Sequence, residues 1–267
     1  MLSALAVLSH HFNPPSYAAE LHVPDAFPAI QEAIKASSPG DSIVVKDGTY
    51  NENITIDKPL TLRSTAGADL TFIVASSADS PVITITGTGN ARVSGFSLTG
   101  SRVAGIKVMN SKDAFIADNT AIENESGIVV ENSEGITIKG NTANNNDVYG
   151  IYLSETKNSA IEGNTVNAND DKGLFIINSM RNRIVNNNIS LNAWNGITLF
   201  ASHDNTVRGN NALRNTFGIV ISDSNNNDVA ENTTLPNFFI ILPIILLYLG
   251  IISYMIQRSI LRLLHKG

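Results

Sequence analysis

The chain has 267 residues, 43% hydrophobic and 16% charged, with a net charge of −6. It has no cysteine, which excludes a disulfide framework and a thiolate metal site. All 24 acidic residues lie between Glu20 and Glu231, against 15 basic residues before the C-terminal segment, and that negative balance argues against nucleic acid as a partner.

Residues 1–19 read as a signal peptide. Leu2 to Leu8 is apolar and Ser16-Tyr17-Ala18 resembles a small-x-small cleavage site, although no basic residue precedes the run and His10, His11, Pro14 and Pro15 interrupt it. Residues 20–100 read as a cap and the first coils of a solenoid. Ala26 to Ala36 places Phe27, Ile30, Ala33 and Ile34 at helical spacing. A short amphipathic helix there would cover the open end of the stack and block edge pairing. Pro39-Gly40-Asp41 then turns the chain, Ile43-Val44-Val45 reads as a strand, and Ile54, Ile56, Leu60 and Leu62 continue an inward pattern.

Residues 101–237 carry the strongest signal. Asn119, Asn141, Asn164, Asn187, Asn210 and Asn232 recur at intervals of 22, 23, 23, 23 and 22 residues. Gly105, Gly127, Gly150, Gly173, Gly196 and Gly218 keep the same step, each 14 residues earlier. A period of this length predicts a solenoid of stacked coils. Each glycine opens an Ile/Leu–x–aliphatic triplet, a strand with alternate residues inward. A second asparagine column follows at Asn124, Asn146, Asn169, Asn192, Asn215 and Asn237. Coils about 4.8 Å apart let like amides bond to their own copies while satisfying buried backbone, so these asparagines are expected to be structural ladders.

From Phe238 to Ile256 the chain carries no charge, and Arg258, Arg262 and Lys266 follow. That length predicts a transmembrane helix over 238–257, and the basic tail 258–267 predicts a cytoplasmic C-terminus with the repeats outside.

The segment from Phe27 to Ser64 (FPAIQEAIKASSPGDSIVVKDGTYNENITIDKPLTLRS) closely resembles the start of NosD-type, pectin-lyase-like right-handed β-helix proteins, and the later coils resemble the PbH1-type repeats of that group. The resemblance covers about Val23 to Thr234. It implies an all-β, right-handed parallel β-helix of about nine coils. It implies little about activity, because the group includes polysaccharide lyases, epimerases, phage proteins, copper-site maturation proteins and archaeal surface proteins.

Four candidate sites follow. Tyr149, Tyr152, Phe175, Ile177, Trp194, Phe200 and Phe217 fall at outward or strand-opening positions of the middle coils, a contiguous patch suited to stacking on a glycan or anchoring a protein partner. Glu125, Asp147 and Asp170 share one repeat position, with Asp171 adjacent; such a column is a calcium site or a solvated acidic edge. Met180 and His203 align one lap apart and offer two soft donors to copper, a set too small to define a site alone. Asn53-Ile54-Thr55, Asn124-Glu125-Ser126, Asn188-Ile189-Ser190 and Asn232-Thr233-Thr234 are glycosylation sequons, of a kind that an asparagine-rich chain produces by chance. No epimerase-type Asp-Pro-His-Asp motif occurs, and no arginine stands beside the acidic column as a lyase base would need. The expectation is therefore a non-catalytic binding protein, with no assigned catalytic residue. A copper-related maturation role is one version of it. The alternatives are a carbohydrate-active enzyme and a structural surface component.

Overall fold

The computed structural model describes residues 18–236 and 238–264. The expected leader therefore lies outside the described residues except for Ala18 and Ala19, as do Asn237 and the tail residue Lys266. From Glu20 the chain winds into a parallel β-solenoid, each lap laying its strands onto the preceding lap. A ten-stranded sheet runs from Glu20–Val23 to Asp228–Ala230, and an eight-stranded sheet from Ile54–Ile56 to Phe217–Ser222. A five-stranded sheet runs from Gly48–Asn51 to Thr142–Asn144. Its column continues as single bridges through Thr165 and Asn188 to Asn211, and closes with the pair Asn211–Asn215 and Thr233–Pro236.

Register follows from which side chains must leave water. Ile106, Ile128, Ile151, Leu174 and Ile197 pair in file, as do Val108, Val130, Leu153, Ile176 and Leu199, and all are buried. Burying each stabilises by about 1.5–3 kcal/mol, and a one-residue slip would turn the whole set outward. The glycine column has a steric cause. A Cβ on Gly127 would lie 2.6 Å from the Gly150 carbonyl of the next coil, and one on Gly196 would lie 2.6 Å from the Gly218 carbonyl.

The asparagines stack as expected. Asn119, Asn141, Asn164, Asn187 and Asn210 each donate Nδ2 to the Oδ1 of the next, over 3.1, 3.2, 2.9, 2.9 and 2.9 Å. The same amides close the bend by bonding backbone: Asn164 donates to the Ile138 carbonyl and its Oδ1 accepts the Asn141 N–H, both at 2.9 Å. In the second column Asn146, Asn169 and Asn192 do the same toward Asn169, Asn192 and Asn215. A hydroxyl column at Ser111, Ser133, Thr156, Ser179, Ser202 and Ser224 closes the third bend, and the sequence reading missed it despite the same 22–23-residue step.

The expected helix over 26–36 is shorter. Helix α1 spans Ile30–Ala36, with Ile30, Ala33 and Ile34 buried. The Glu52 carboxylate, on the following coil, accepts the Ile30 and Gln31 N–H groups at 2.8 and 2.9 Å and so fixes where α1 begins. The segment expected to cross a membrane falls within helix α2, Phe238–Leu264, which contains Pro243. Its side chains are described at 242–243 and 245–258, all exposed. Among the described residues no helix is long and apolar enough to cross a membrane.

Candidate functional site

The outer face of the eight-stranded sheet changes character along the solenoid. One outward column reads Thr84, Lys107, Val129, Tyr152, Phe175 and Thr198. A second holds the residue before each column glycine, where Ser126 gives way to Tyr149 and then Lys172. The two columns meet in a ring cluster. Tyr149 stacks on Tyr152 with centroids 5.4 Å apart and planes 19° from parallel. Phe175 lies 5.4 Å from Tyr149 and 5.6 Å from Tyr152, tilted by 58° and 46°.

A charge pair clamps this cluster. Lys172 Nζ sits 5.5 Å from the Tyr149 ring centre and 5.1 Å from that of Phe175, within cation–π range. The same ammonium donates to both Asp171 oxygens at 3.0 and 2.9 Å, which holds it over the rings. Burial pushes the Tyr149 phenol above its usual value near 10, and the Asp171 carboxylate adds to the shift. The surface thus joins an apolar cluster of half-buried, mutually tilted rings, against which a pyranose C–H face can pack, to a carboxylate, an ammonium and a neutral phenol that can bond ring hydroxyls. Lys172 was missed by sequence reasoning. The available signal was its repeat position, shared with Tyr149, beside an acidic residue.

The rest of the expected patch is looser. Ile177 and Phe200 pair one above the other on the same face, with Phe200 exposed. Trp194 and Phe217 follow on later coils and are 57% and 53% exposed. Trp194 donates its N–H to the Asp171 carbonyl and Phe217 donates to the Trp194 carbonyl, so their backbones stack on the cluster. Among the described residues, ring–ring contact joins Tyr149, Tyr152 and Phe175 alone. The register also sets Asn195 above Lys172. Asn195 donates to Thr198 Oγ1 at 2.9 Å, and its buried Oδ1 has no partner.

The acidic residues divide. Asp147 and Asp170 donate their N–H groups to the Asn124 and Asn146 carbonyls, which places Glu125, Asp147 and Asp170 on successive coils with exposed side chains. Asp171 turns instead to Lys172. Among the described residues no group of three or more His, Cys, Asp and Glu is placed to hold a metal ion. Arg183 and Arg208 lie in strands of the ten-stranded sheet and pair with Glu162 and Asp228.

Met180 and His203 do bridge as neighbours. Both donor atoms have neighbours already. His203 Nδ1 accepts the Asn225 N–H at 3.0 Å, which puts the proton of the neutral ring on Nε2. The exposed Arg181 guanidinium lies 3.7 Å from the Met180 sulfur, a positive charge beside the thioether.

A hollow of about 320 Å³ lies on the bend after the eight-stranded sheet, between Asn110, Lys112, Asn132, Glu134, Glu155 and Lys157. Glu134 sits there with its carboxyl held below the usual range by the Asn158 amide and by Lys157 and Lys112.

These features first define a class: a parallel β-solenoid with a charge-clamped aromatic patch on one sheet. The coil winding is right-handed. Residues 34–195, 162 of the 267, match the model of the family described as periplasmic copper-binding protein (NosD), and the chain belongs to that family. A cell surface glycoprotein of Methanothermus fervidus is 33% identical over 132 residues, which is 49% of this chain and 18% of that protein. The chain thus spans less than a fifth of that relative's length. Among solved structures, the A-module of the mannuronan C-5 epimerase AlgE6 of Azotobacter vinelandii superposes with a TM-score of 0.55 at 16% identity, covering 76% of this chain and 70% of that one. That likeness shows the fold alone. A periplasmic alginate epimerase AlgG variant is 21% identical with a TM-score of 0.45, covering 77% and 66%.

Proposed function

We propose that the chain is a non-catalytic, extracytoplasmic binding protein that holds a glycan against the Tyr149–Tyr152–Phe175 surface. The observation that carries the reading is the ring cluster itself, clamped by Lys172 and Asp171 on the outer sheet face. The periplasmic description of the family and the surface location named for the relative support a place outside the cytoplasm. Glycan binding is tested by screening the purified chain on a glycan array and titrating the hits by calorimetry. The double substitution Tyr152→Ala with Phe175→Ala is expected to lower affinity by roughly 2 kcal/mol or more. Unchanged binding would overturn the reading. Turnover of a uronate polymer, lost in Asp171→Asn, would move the assignment to the enzyme alternative.

The membrane anchor belongs to this proposal. Leu246, Leu247, Tyr248 and Leu249 are consecutive in α2 and 56–66% exposed. Four consecutive residues point to all sides of a helix, and a helix apolar all round suits lipid. Arg258 and Arg262 then mark the cytoplasmic end. Pelleting of the whole chain with membranes, and release by truncation after Pro236, are the expected results. At the other end, α1 closes the stack over the first strands it touches, Glu20–Val23, Ser42–Val45 and Ile54–Ile56.

A further inference from the structure

The four sequons are equal in sequence and unequal in the fold. In extended chain, residues i and i+2 face the same way and i+1 faces the other. An Asn-x-Ser/Thr triplet can therefore present both its amide and its hydroxyl only where the middle residue points inward. Asn124-Glu125-Ser126 has the opposite phase: Asn124 is 1% and Ser126 5% exposed, and Glu125 is outside. Asn53 faces the surface, but its Nδ2 is shared among the Ser77, Ser80 and Pro81 carbonyls and its Oδ1 accepts from Ser76 and Ser77. Asn232 ends the main ladder, its Nδ2 bound to the Val207 carbonyl at 2.8 Å and its Oδ1 to Asn210.

Asn53-Ile54-Thr55 and Asn188-Ile189-Ser190 share the favourable phase, and they differ in what binds the amide. Asn188 is exposed, Ile189 is fully buried, and the Ser190 hydroxyl lies on the outer side, donating to Asn188 Oδ1 at 3.0 Å. The ladder position beside it is held by Asn187, and among the described residues Asn188 Nδ2 donates to none. Its backbone pairs with Thr165 and Asn211 on the neighbouring laps, and a group added to Nδ2 projects away from the coil.

We propose that Asn188 is an N-glycan acceptor, and that of the four sequons it alone accepts a glycan in the folded chain. In the transfer, Asn188 Nδ2 forms a bond to the anomeric carbon of an oligosaccharide carried on a lipid (pyro)phosphate. The bond from that carbon to the phosphate oxygen breaks, the lipid phosphate leaves with the electron pair, and the amide gives up one proton.

The test incubates the purified full chain with an oligosaccharyltransferase and a lipid-linked oligosaccharide, folded in one arm and heat-denatured in the other, with an unstructured Asn-x-Thr peptide confirming that the enzyme is active. Glycopeptides are then mapped by mass spectrometry. The expected result is one glycan per folded chain, on Asn188, lost in both Asn188→Gln and Ser190→Ala, with further sites gained in the denatured arm. Ser190→Ala keeps the exposed asparagine and so separates loss of the acceptor signal from any disturbance of the coil. A folded chain that takes no glycan at Asn188, or that takes one at Asn53, Asn124 or Asn232, overturns the proposal.

Discussion

The asparagine bend and the outer face of the eight-stranded sheet sit on the same coils and obey opposite rules. In the bend one residue type repeats lap after lap, buried, with each amide bonded above, below and to backbone. On the sheet face, Val129, Tyr152, Phe175 and Thr198 occupy equivalent places yet are four different residue types. Residues that repeat hold coils together, because the neighbouring coil presents the same need. Residues that break the repeat are free of that need, and the candidate site is built from them.

Substitutions can break this contrast. The largest effect is expected from Asn164→Ala. It strands the Asn141 N–H, takes the amide donor from the Ile138 carbonyl and leaves the Asn187 Oδ1 with the residue 164 backbone N–H alone, all in a buried bend, and should cost roughly 3–5 kcal/mol, read from the denaturant midpoint. Gly127→Ala forces a methyl against the Gly150 carbonyl and should cost about 1–3 kcal/mol. On the sheet face, Tyr152→Ala with Phe175→Ala should cost less stability than Asn164→Ala while removing ligand binding. A large stability loss there would place the rings with the framework instead.

Two smaller predictions sharpen the contrast. Leu191 is 52% exposed and holds φ 62° at a bend, in the left-handed region that a side chain disfavours. Leu191→Gly should stabilise by roughly 0.5–1 kcal/mol in thermal or chemical unfolding. The smallest effect is a titration. The folded Tyr149 phenol lies above its unfolded value, so its contribution to stability is complete below about pH 10 and is lost as pH rises through the folded pKa. The ultraviolet difference between the wild type and Tyr149→Phe should show this late ionisation. Asp171→Asn should move it earlier by removing the neighbouring negative charge; no movement would detach Asp171 from the cluster.

Much of the fold was legible in the sequence. The 22–23-residue step of Asn119 to Asn232 and of Gly105 to Gly218 marked the coils, because stacking imposes the same steric and hydrogen-bonding demand on every lap. The start of α1 was not legible, since it is set by Glu52, a residue of the following coil. Tyr149, Tyr152 and Phe175 were found as outward aromatics. Their partner Lys172 was not, because the repeat position it shares with Tyr149 acquires a meaning only once its distance to two rings is known. Asp171, grouped by sequence with Glu125, Asp147 and Asp170, proved to face that lysine.

By itself, then, the sequence determined the solenoid, its register and its ladders, all of which depend on like residues one lap apart. Only the tertiary structure decided which unlike residues meet: that Lys172 lies over Tyr149 and Phe175, that Arg181 lies beside the Met180 sulfur, and that the Asn188 side chain is exposed while the Asn53 amide is bonded to the neighbouring coil. Periodicity encodes contacts between copies of one position. Contacts between different positions depend on side-chain direction and distance, which no spacing along the chain records.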